Sequence, residues 1–272
     1  MKPWRKSDAE MNQSELEKIL KNVMTSKDFS NSYTPEQIEQ IREIFMAMHR
    51  DNHSLIDDSW GLDELLGIDY SSDKNYSDLQ LLRKFESKYG HENFWLNKGR
   101  YVQSYYSSIK YFFHQTKPRK DQVVYDLGSG FGRVVFYGGL VTDALIKGVE
   151  IVPERVQECN RIKEKLKLEN ISFTQANVLD VDISDGDIFF MYHPFSERTG
   201  KAVLEKLRKL SEQKPIHVGI NLRVYGLDDN SDWLQQIRRR RDVRIFRSKQ
   251  DNIIRRVLNY FHKGSKNGAE YE

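Results

Sequence analysis

Three glycines spaced by single residues follow an acidic side chain in the run Val123-Val124-Tyr125-Asp126-Leu127-Gly128-Ser129-Gly130-Phe131-Gly132-Arg133. Glycine is needed where a chain turns sharply from strand to helix and lies against a ligand. The start of the following helix offers free N–H groups to a negative group. Asp126, at the strand's carboxyl end, places an acceptor where a ligand's ammonium or hydroxyl binds. Further on, Glu150 closes Lys147-Gly148-Val149-Glu150, and a carboxylate at the end of a second strand accepts hydrogen bonds from ribose hydroxyls. Together the two elements point to a ligand that contains a nucleoside. A dinucleotide prefers G-x-G-x-x-G, and Arg133 stands where its third glycine belongs, so a dinucleotide-dependent oxidoreductase is the weaker reading.

A second group follows the most apolar segment of the chain, in Met191-Tyr192-His193-Pro194-Phe195. Tyr192 and Phe195 offer an aromatic wall to an amine or its methylated product. His193 offers a proton acceptor with an ordinary pKa of about 6.5, and its alternative is a loop histidine bonded to backbone. Cys159 reads as an apolar helix residue, and the seven histidines show no metal-ligand spacing, so no metal site is expected.

Strands alternating with helices must position these groups. Residues 122–127 read as a short strand, 133–145 as the helix after the glycines, 147–151 as a second strand and 153–168 as a helix. Residues 171–175 and 187–192 form the third and fourth strands, 200–210 a helix and 216–222 the fifth strand. Residues 233–240 read as a short helix, and 244–247 with 253–262 as a final hairpin. The pattern predicts an α/β fold, a doubly wound and mostly parallel sheet with one antiparallel edge. Ahead of it, residues 104–113 form a helix. The first 90 residues are helical pieces at 14–24, from Thr34 onward, and at 76–89. Thr34-Pro35-Glu36-Gln37 supplies an N-cap, a first-turn proline and a capping-box glutamine, followed by the stripe Ile38, Ile41, Phe45 and Met48. Residues 1–100 are thus expected to form a helical extension, 101–264 the ligand-binding domain, and 265–272 a flexible tail.

Of 272 residues, 38% are hydrophobic, enough for a sizeable core, and a single cysteine excludes an internal disulfide. No apolar run approaches the roughly 18 residues of a membrane span. The N-terminus lacks the apolar stretch of a secretory signal, so a cytoplasmic protein that makes no membrane contact is expected. The net charge of +3 hides an asymmetry. Residues 1–90 hold 12 basic and 17 acidic side chains, whereas residues 238–263 hold 10 basic and 2 acidic. Arg238 to Arg241, with Arg244, Arg247, Lys249, Arg255 and Arg256, would suit a phosphate-bearing or acidic partner, or simply a solvated edge that discourages strand pairing.

The D-L-G-S-G-x-G spacing resembles motif I of the class I S-adenosylmethionine-dependent methyltransferases. The order of elements over residues 101–262 is similar to that family's Rossmann-like, seven-stranded sheet with its reversed last strand. Within the family the chain looks like the non-SET histone lysine methyltransferases and their bacterial relatives. Their D-L-G-S-G-x-G-[RQ]-V is matched from Asp126 to Val134, and their G-V-E from Gly148 to Glu150. Tyr101-Val102-Gln103-Ser104 sits where they carry a Y-G-E-T-type loop over the methionine part of the cofactor, and only the Tyr is identical.

The resemblance implies roles. Tyr101, Gln103, Ser104, Asp126 and the Gly128, Ser129, Gly130 and Gly132 turn would hold the methionine moiety. Glu150 would hold the ribose, and Asn177 with Val178 the adenine edge. Tyr192, His193 and Phe195 would meet the methyl acceptor. That acceptor is expected to be a protein side chain, lysine by family likeness. The basic C-terminal segment supports an RNA acceptor instead. Relatives place [ND]-P-P-[YF] or N-N-F-A-F after the fourth strand, and the missing Asn supports a third reading, a cofactor-binding protein without activity.

Overall fold

The computed structural model describes residues 33–50, 60–70, 103–192, 194–221, 231–240 and 242–249. The expected helices at 14–24 and 76–89, Tyr101, His193, and the expected strand at 253–262 lie outside the described residues. α1 (Pro35–Arg50) opens on the capping box read from its sequence. The Thr34 N–H donates to Gln37 Oε1 at 2.9 Å, and the Gln37 N–H donates to Thr34 Oγ1 at 3.2 Å. Ile38, Ile41, Phe45 and Met48 are buried as expected. α2 (Trp60–Leu66) and α3 (Tyr106–Thr116) precede the alternating part of the chain. That part comprises β1 (Val123–Leu127), α4 (Arg133–Val141), β2 (Leu145–Glu150), α5 (Pro153–Lys165), β3 (Ile171–Gln175) and β4 (Ile188–Met191). α6 (Glu197–Ser211), β5 (His217–Asn221), β6 (Leu234–Arg239) and β7 (Val243–Ser248) complete it.

The strands form one sheet of seven in the order β3-β2-β1-β4-β5-β7-β6. The first five are parallel, and β7 runs antiparallel to both β5 and β6. The α/β, doubly wound sheet with a reversed last strand is therefore present. Right-handed crossovers through α4 and α5 carry the chain outward from β1 to β3, and the crossover through α6 carries it the other way from β4 to β5. The helices consequently cover opposite faces. One core joins Val135, Ile146, Cys159 and Ile162, and the other joins Leu127, Val203, Leu207 and Val218. The reversal of strand order between β1 and β4 opens a crevice beyond their carboxyl ends, where ligands bind in sheets of this kind.

The described N-terminal helices add a further layer on this scaffold. The Phe45 ring meets Tyr106 and Tyr137 edge-on, with centroids at 6.2 and 5.9 Å, and Ile41, Ile44 and Leu65 are fully buried in the same core as α4. His49 stacks on His114 of α3 at 4.2 Å and shares a 3.1 Å hydrogen bond with the Tyr137 hydroxyl.

Three sequence expectations change. The helix read as 133–145 ends at Val141, and β2 starts at Leu145 rather than at 147. Asn170 is the reason, because its Nδ2 donates to the carbonyls of Gly139, Thr142 and Ala144 at 3.1–3.3 Å and ties off the helix end. Residues 233–240, read as a helix, form β6. Trp233 and Leu234 are buried, and the following residues pair with β7 across a bulge between Gln236 and Arg238, so pairing overrides the helical bias of Gln and Arg. β7 is paired on one edge with β5 and on the other with β6, so the final hairpin joins β6 to β7 rather than residues 244–247 to 253–262.

Candidate functional site

The glycine turn leaves the end of β1 at the switch point. The Gly128 and Ser129 N–H groups donate to the Val149 carbonyl at 2.8 and 2.9 Å, which locks the turn to the end of β2. Gly132 caps α4 with φ of 78°, and a Cβ there would lie 2.8 Å from Phe173 Cε1, so only glycine fits between the helix and the sheet. Gly128 has φ of 83°, and a Cβ there would lie 2.1 Å from Pro194 Cβ. The segment after β4 therefore lies directly across the glycine turn. The Ser129 hydroxyl is buried with no hydrogen-bond partner among the described residues.

Two buried carboxylates meet behind this turn. Glu150, 6% exposed, accepts the Gly130 N–H on Oε2 at 2.8 Å and the Ile151 and Val152 N–H groups on Oε1 at 3.0 Å. A carboxylate has about four acceptor positions, so one remains on Oε2. Asp126 is 3% exposed, and no donor among the described residues reaches its carboxylate. Burial first, and then the Glu150 charge, pushes its pKa well above the ordinary carboxylate value. The Arg155 guanidinium lies 3.8 Å from Glu150 Oε1, while Asp126 has neither a donor nor an ion-pair partner among the described residues. The Asp126 side of the pair therefore fits a ligand that brings a cation, and the open position on Glu150 one that brings hydroxyls. S-adenosylmethionine brings both, in its ammonium and sulfonium groups and its ribose. Cys159 Sγ lies 3.6 Å from the Gly130 carbonyl in the same interior, where burial and then Glu150 raise the thiol pKa, which keeps it an inert packing group.

The loop after β3 forms the next wall. The Ala176 N–H donates to the Glu150 carbonyl at 3.0 Å, and Asn177 Oδ1 accepts the Leu179 N–H at 3.1 Å, so this oxygen is partly committed to its own turn. Val178 is buried. Lys206 of α6 pins the loop by donating to the carbonyls of Val178 at 3.4 Å, Leu179 at 3.1 Å and Val181. Nothing in the sequence around Lys206 indicates this role.

On the acceptor side, Tyr192 and Phe195 part company. Phe195 is 7% exposed and belongs to the core on the α6 side. Tyr192 stays half-buried beside Tyr105, their rings edge-on at 6.5 Å, and Tyr105 is 46% exposed. The Tyr192 hydroxyl donates to Asp242 Oδ2 at 3.3 Å, and the Ser108 hydroxyl donates to the same oxygen. Tyr105, Ser108 and Asp242 were not singled out in the sequence as site residues. Asp242 reaches Tyr192 only because β7 returns beside β5. Gln103 and Ser104 are half-buried, and the Ser104 carbonyl accepts from Arg133 Nη1 at 3.1 Å, which brings that segment to the residue after the glycine turn.

The basic segment is partly described. Arg238, Arg239, Arg240 and Arg247 are exposed on the outer hairpin. Arg238 Nε donates to Gln115 Oε1 at 3.0 Å, and Arg240 Nη1 donates to the Ser107 carbonyl at 2.7 Å, so two of these arginines anchor the hairpin to α3 and the residues around it. Among the described residues, no helix is long and apolar enough to cross a membrane, and no group of three His, Cys, Asp or Glu side chains is arranged to hold a metal ion.

No protein-family model and no curated protein matches the chain. Among solved structures, it is similar to an RNA methyltransferase from Salinibacter ruber in complex with S-adenosyl-L-homocysteine. The identity is 19% and the TM-score 0.41, over 54% of this chain and 92% of that one. A dimethyladenosine transferase from Plasmodium falciparum aligns at 11% identity and a TM-score of 0.44, over 57% of this chain and 66% of that one. A TehB-like SAM-dependent methyltransferase from Corynebacterium glutamicum aligns at 14% identity and a TM-score of 0.42, over 66% of this chain and 100% of that one.

Proposed function

We propose that the chain is an S-adenosylmethionine-dependent methyltransferase that acts on an amino group, with a protein lysine as the acceptor favoured by the family resemblance. The observation that carries the cofactor assignment is the buried pair Asp126 and Glu150 at the switch point. When bound, the cofactor supplies a methyl group on a positively charged sulfur, open to in-line displacement. Asp126 would hold the ammonium of the methionine moiety, the remaining acceptor position on Glu150 a ribose hydroxyl, and the Asn177–Val178 loop the adenine. Tyr192, Tyr105 and His193 would orient the acceptor nitrogen and keep water away, and alignment is the main task of a protein in such a displacement. As the nitrogen–carbon bond forms the carbon–sulfur bond breaks, and an acceptor ammonium must first lose its proton. In this reading residues 1–100 cap a domain at 101–264.

A second reading, methylation of RNA, is favoured by the exposed arginines of the outer hairpin, because Asp242, which lies immediately before β7, stands beside Tyr192. Calorimetric titration with S-adenosylmethionine, S-adenosylhomocysteine and NAD tests the cofactor. Binding of the first two but not NAD, lost in Asp126→Ala and Glu150→Ala, is expected. Binding of NAD alone would overturn the reading. Labelled methyl transfer to protein or RNA then separates the acceptors. RNA binding that falls steeply with salt and with replacement of Arg238–Arg240 would favour RNA.

A further inference from the structure

Asp63 was not read as a site residue. It lies on α2, in the N-terminal extension, and is 2% exposed. Its carboxylate is fully engaged. Oδ1 accepts Arg133 Nε at 2.9 Å and the Tyr106 hydroxyl at 2.8 Å, and Oδ2 accepts the Tyr70 hydroxyl at 2.6 Å and Arg133 Nη2. Four donors on two oxygens fill the acceptor positions of the carboxylate.

The partners of Asp63 give this cluster its meaning. Arg133 is the first residue of α4, immediately after Gly132, and the guanidinium that grips Asp63 also donates through Nη1 to the Ser104 carbonyl at 3.1 Å. The Tyr106 ring lies under that guanidinium at 5.1 Å. Tyr70, the other hydroxyl donor, sets its ring edge-on against Phe131 at 4.8 Å, and Phe131 is the residue before Gly132. A single carboxylate from the extension therefore holds the glycine turn on both sides of Gly132, and reaches the 103–104 segment through the same arginine. The extension is gripped further by α5, where Arg161 Nη2 donates to the Gly67 carbonyl at 2.7 Å and the Asp69 N–H donates to Glu158 Oε1 at 3.1 Å.

We infer that Asp63 is a positioning residue for the cofactor loop: through Arg133 and Tyr70 it sets the Gly128–Gly132 turn and the adjoining 103–104 segment, so that the extension completes the site. The inference rests on the cofactor reading proposed above. Arginine suits the task because its planar fork spans both oxygens of Asp63 and leaves Nη1 to donate to Ser104, which a lysine cannot do. Asp63 touches no reacting atom. Its effect belongs in the binding step and in the rigidity of the loop.

The test compares the full-length chain with Asp63→Asn and with Ile41→Ala, which removes a buried side chain of α1 that has no part in this cluster. Two readouts are used: S-adenosylhomocysteine affinity by calorimetry, and amide hydrogen exchange across residues 128–132 in the free protein. Asp63→Asn should weaken binding by about tenfold or more and speed exchange in the turn. Ile41→Ala should lower the unfolding midpoint and leave both readouts as in the wild type. Where Asp63→Asn fails to fold, Tyr70→Phe, which removes one donor, should move both readouts the same way by a smaller factor. A folded Asp63→Asn with wild-type affinity and exchange overturns the inference. So does an Ile41→Ala that reproduces both changes. A wild type that binds no S-adenosylhomocysteine overturns the cofactor reading instead, and the exchange arm then still decides whether Asp63 orders the turn.

Discussion

Replacing Asp126 by Asn separates charge from shape at the heart of the candidate site. The side chain is 3% exposed, it lacks a donor among the described residues, and burial followed by the Glu150 charge raises its pKa well above the ordinary value. In the unfolded chain the same carboxyl titrates near ~3.9. Between these two values the native protein keeps a proton that the unfolded chain has released. Stability therefore falls as pH rises through that window, and the penalty is complete above the folded pKa. For one fully coupled proton the slope is about 1.4 kcal/mol per pH unit. Asn has nearly the same shape and no charge, so it removes this slope. Whatever offset the amide introduces is the same at every pH. Urea denaturation from about pH 4 to about pH 8 should show the variant gaining on the wild type as pH rises. The same variant should lose S-adenosylhomocysteine affinity, because the ligand's ammonium then meets no charge. More stable and less able to bind is the signature of a residue held in a costly state for function. A stability difference that does not change with pH, or a variant that binds as the wild type does, would refute the reasoning.

Other outcomes follow from the same structure. His49, whose pKa is lowered to about 4 by burial and then by the positive charges of His114 and Lys110, binds fewer protons folded than unfolded between that value and ~6.5. Its contribution is present above pH ~6.5 and lost as pH falls toward the folded value, and His49→Gln should flatten that limb by roughly 1–2 kcal/mol after allowance for solvent screening. A wild-type acid limb in His49→Gln would count against the assignment. Gly132→Ala should destabilise by about 2–4 kcal/mol, from a left-handed backbone and a Cβ driven into Phe173, as read by chemical denaturation. Asn170→Ala should lower stability by about 1–3 kcal/mol, since three carbonyls at the end of α4 lose their donor, and amide exchange should speed in residues 139–145.

Much of the fold was legible because it is written in local patterns. The capping box at Thr34 and Gln37 involves residues three apart, the third strand coincides with its expected span at Ile171–Gln175, and the glycine turn was found from its spacing alone. The Gly128–Gly132 turn and Glu150 were assigned to one nucleoside-bearing ligand from the sequence, and the fold brings them together, with Glu150 accepting the Gly130 N–H at 2.8 Å. What failed was settled by distant partners. Residues 233–240 read as a helix on composition, and became a strand because β7 was there to pair with it.

The sequence by itself thus determined the alternation of strands and helices, the acid-glycine turn and the second acid that faces it, since each depends on residues close together or on a periodicity that any single element must obey. Only the tertiary structure decided that Asp63 grips Arg133 across 70 residues, that Asp242 meets Tyr192 across 50, and that Phe195 packs in the core on the α6 side. These contacts exist because separate elements are packed at fixed distances, and a buried charge finds its partner wherever the fold brings one.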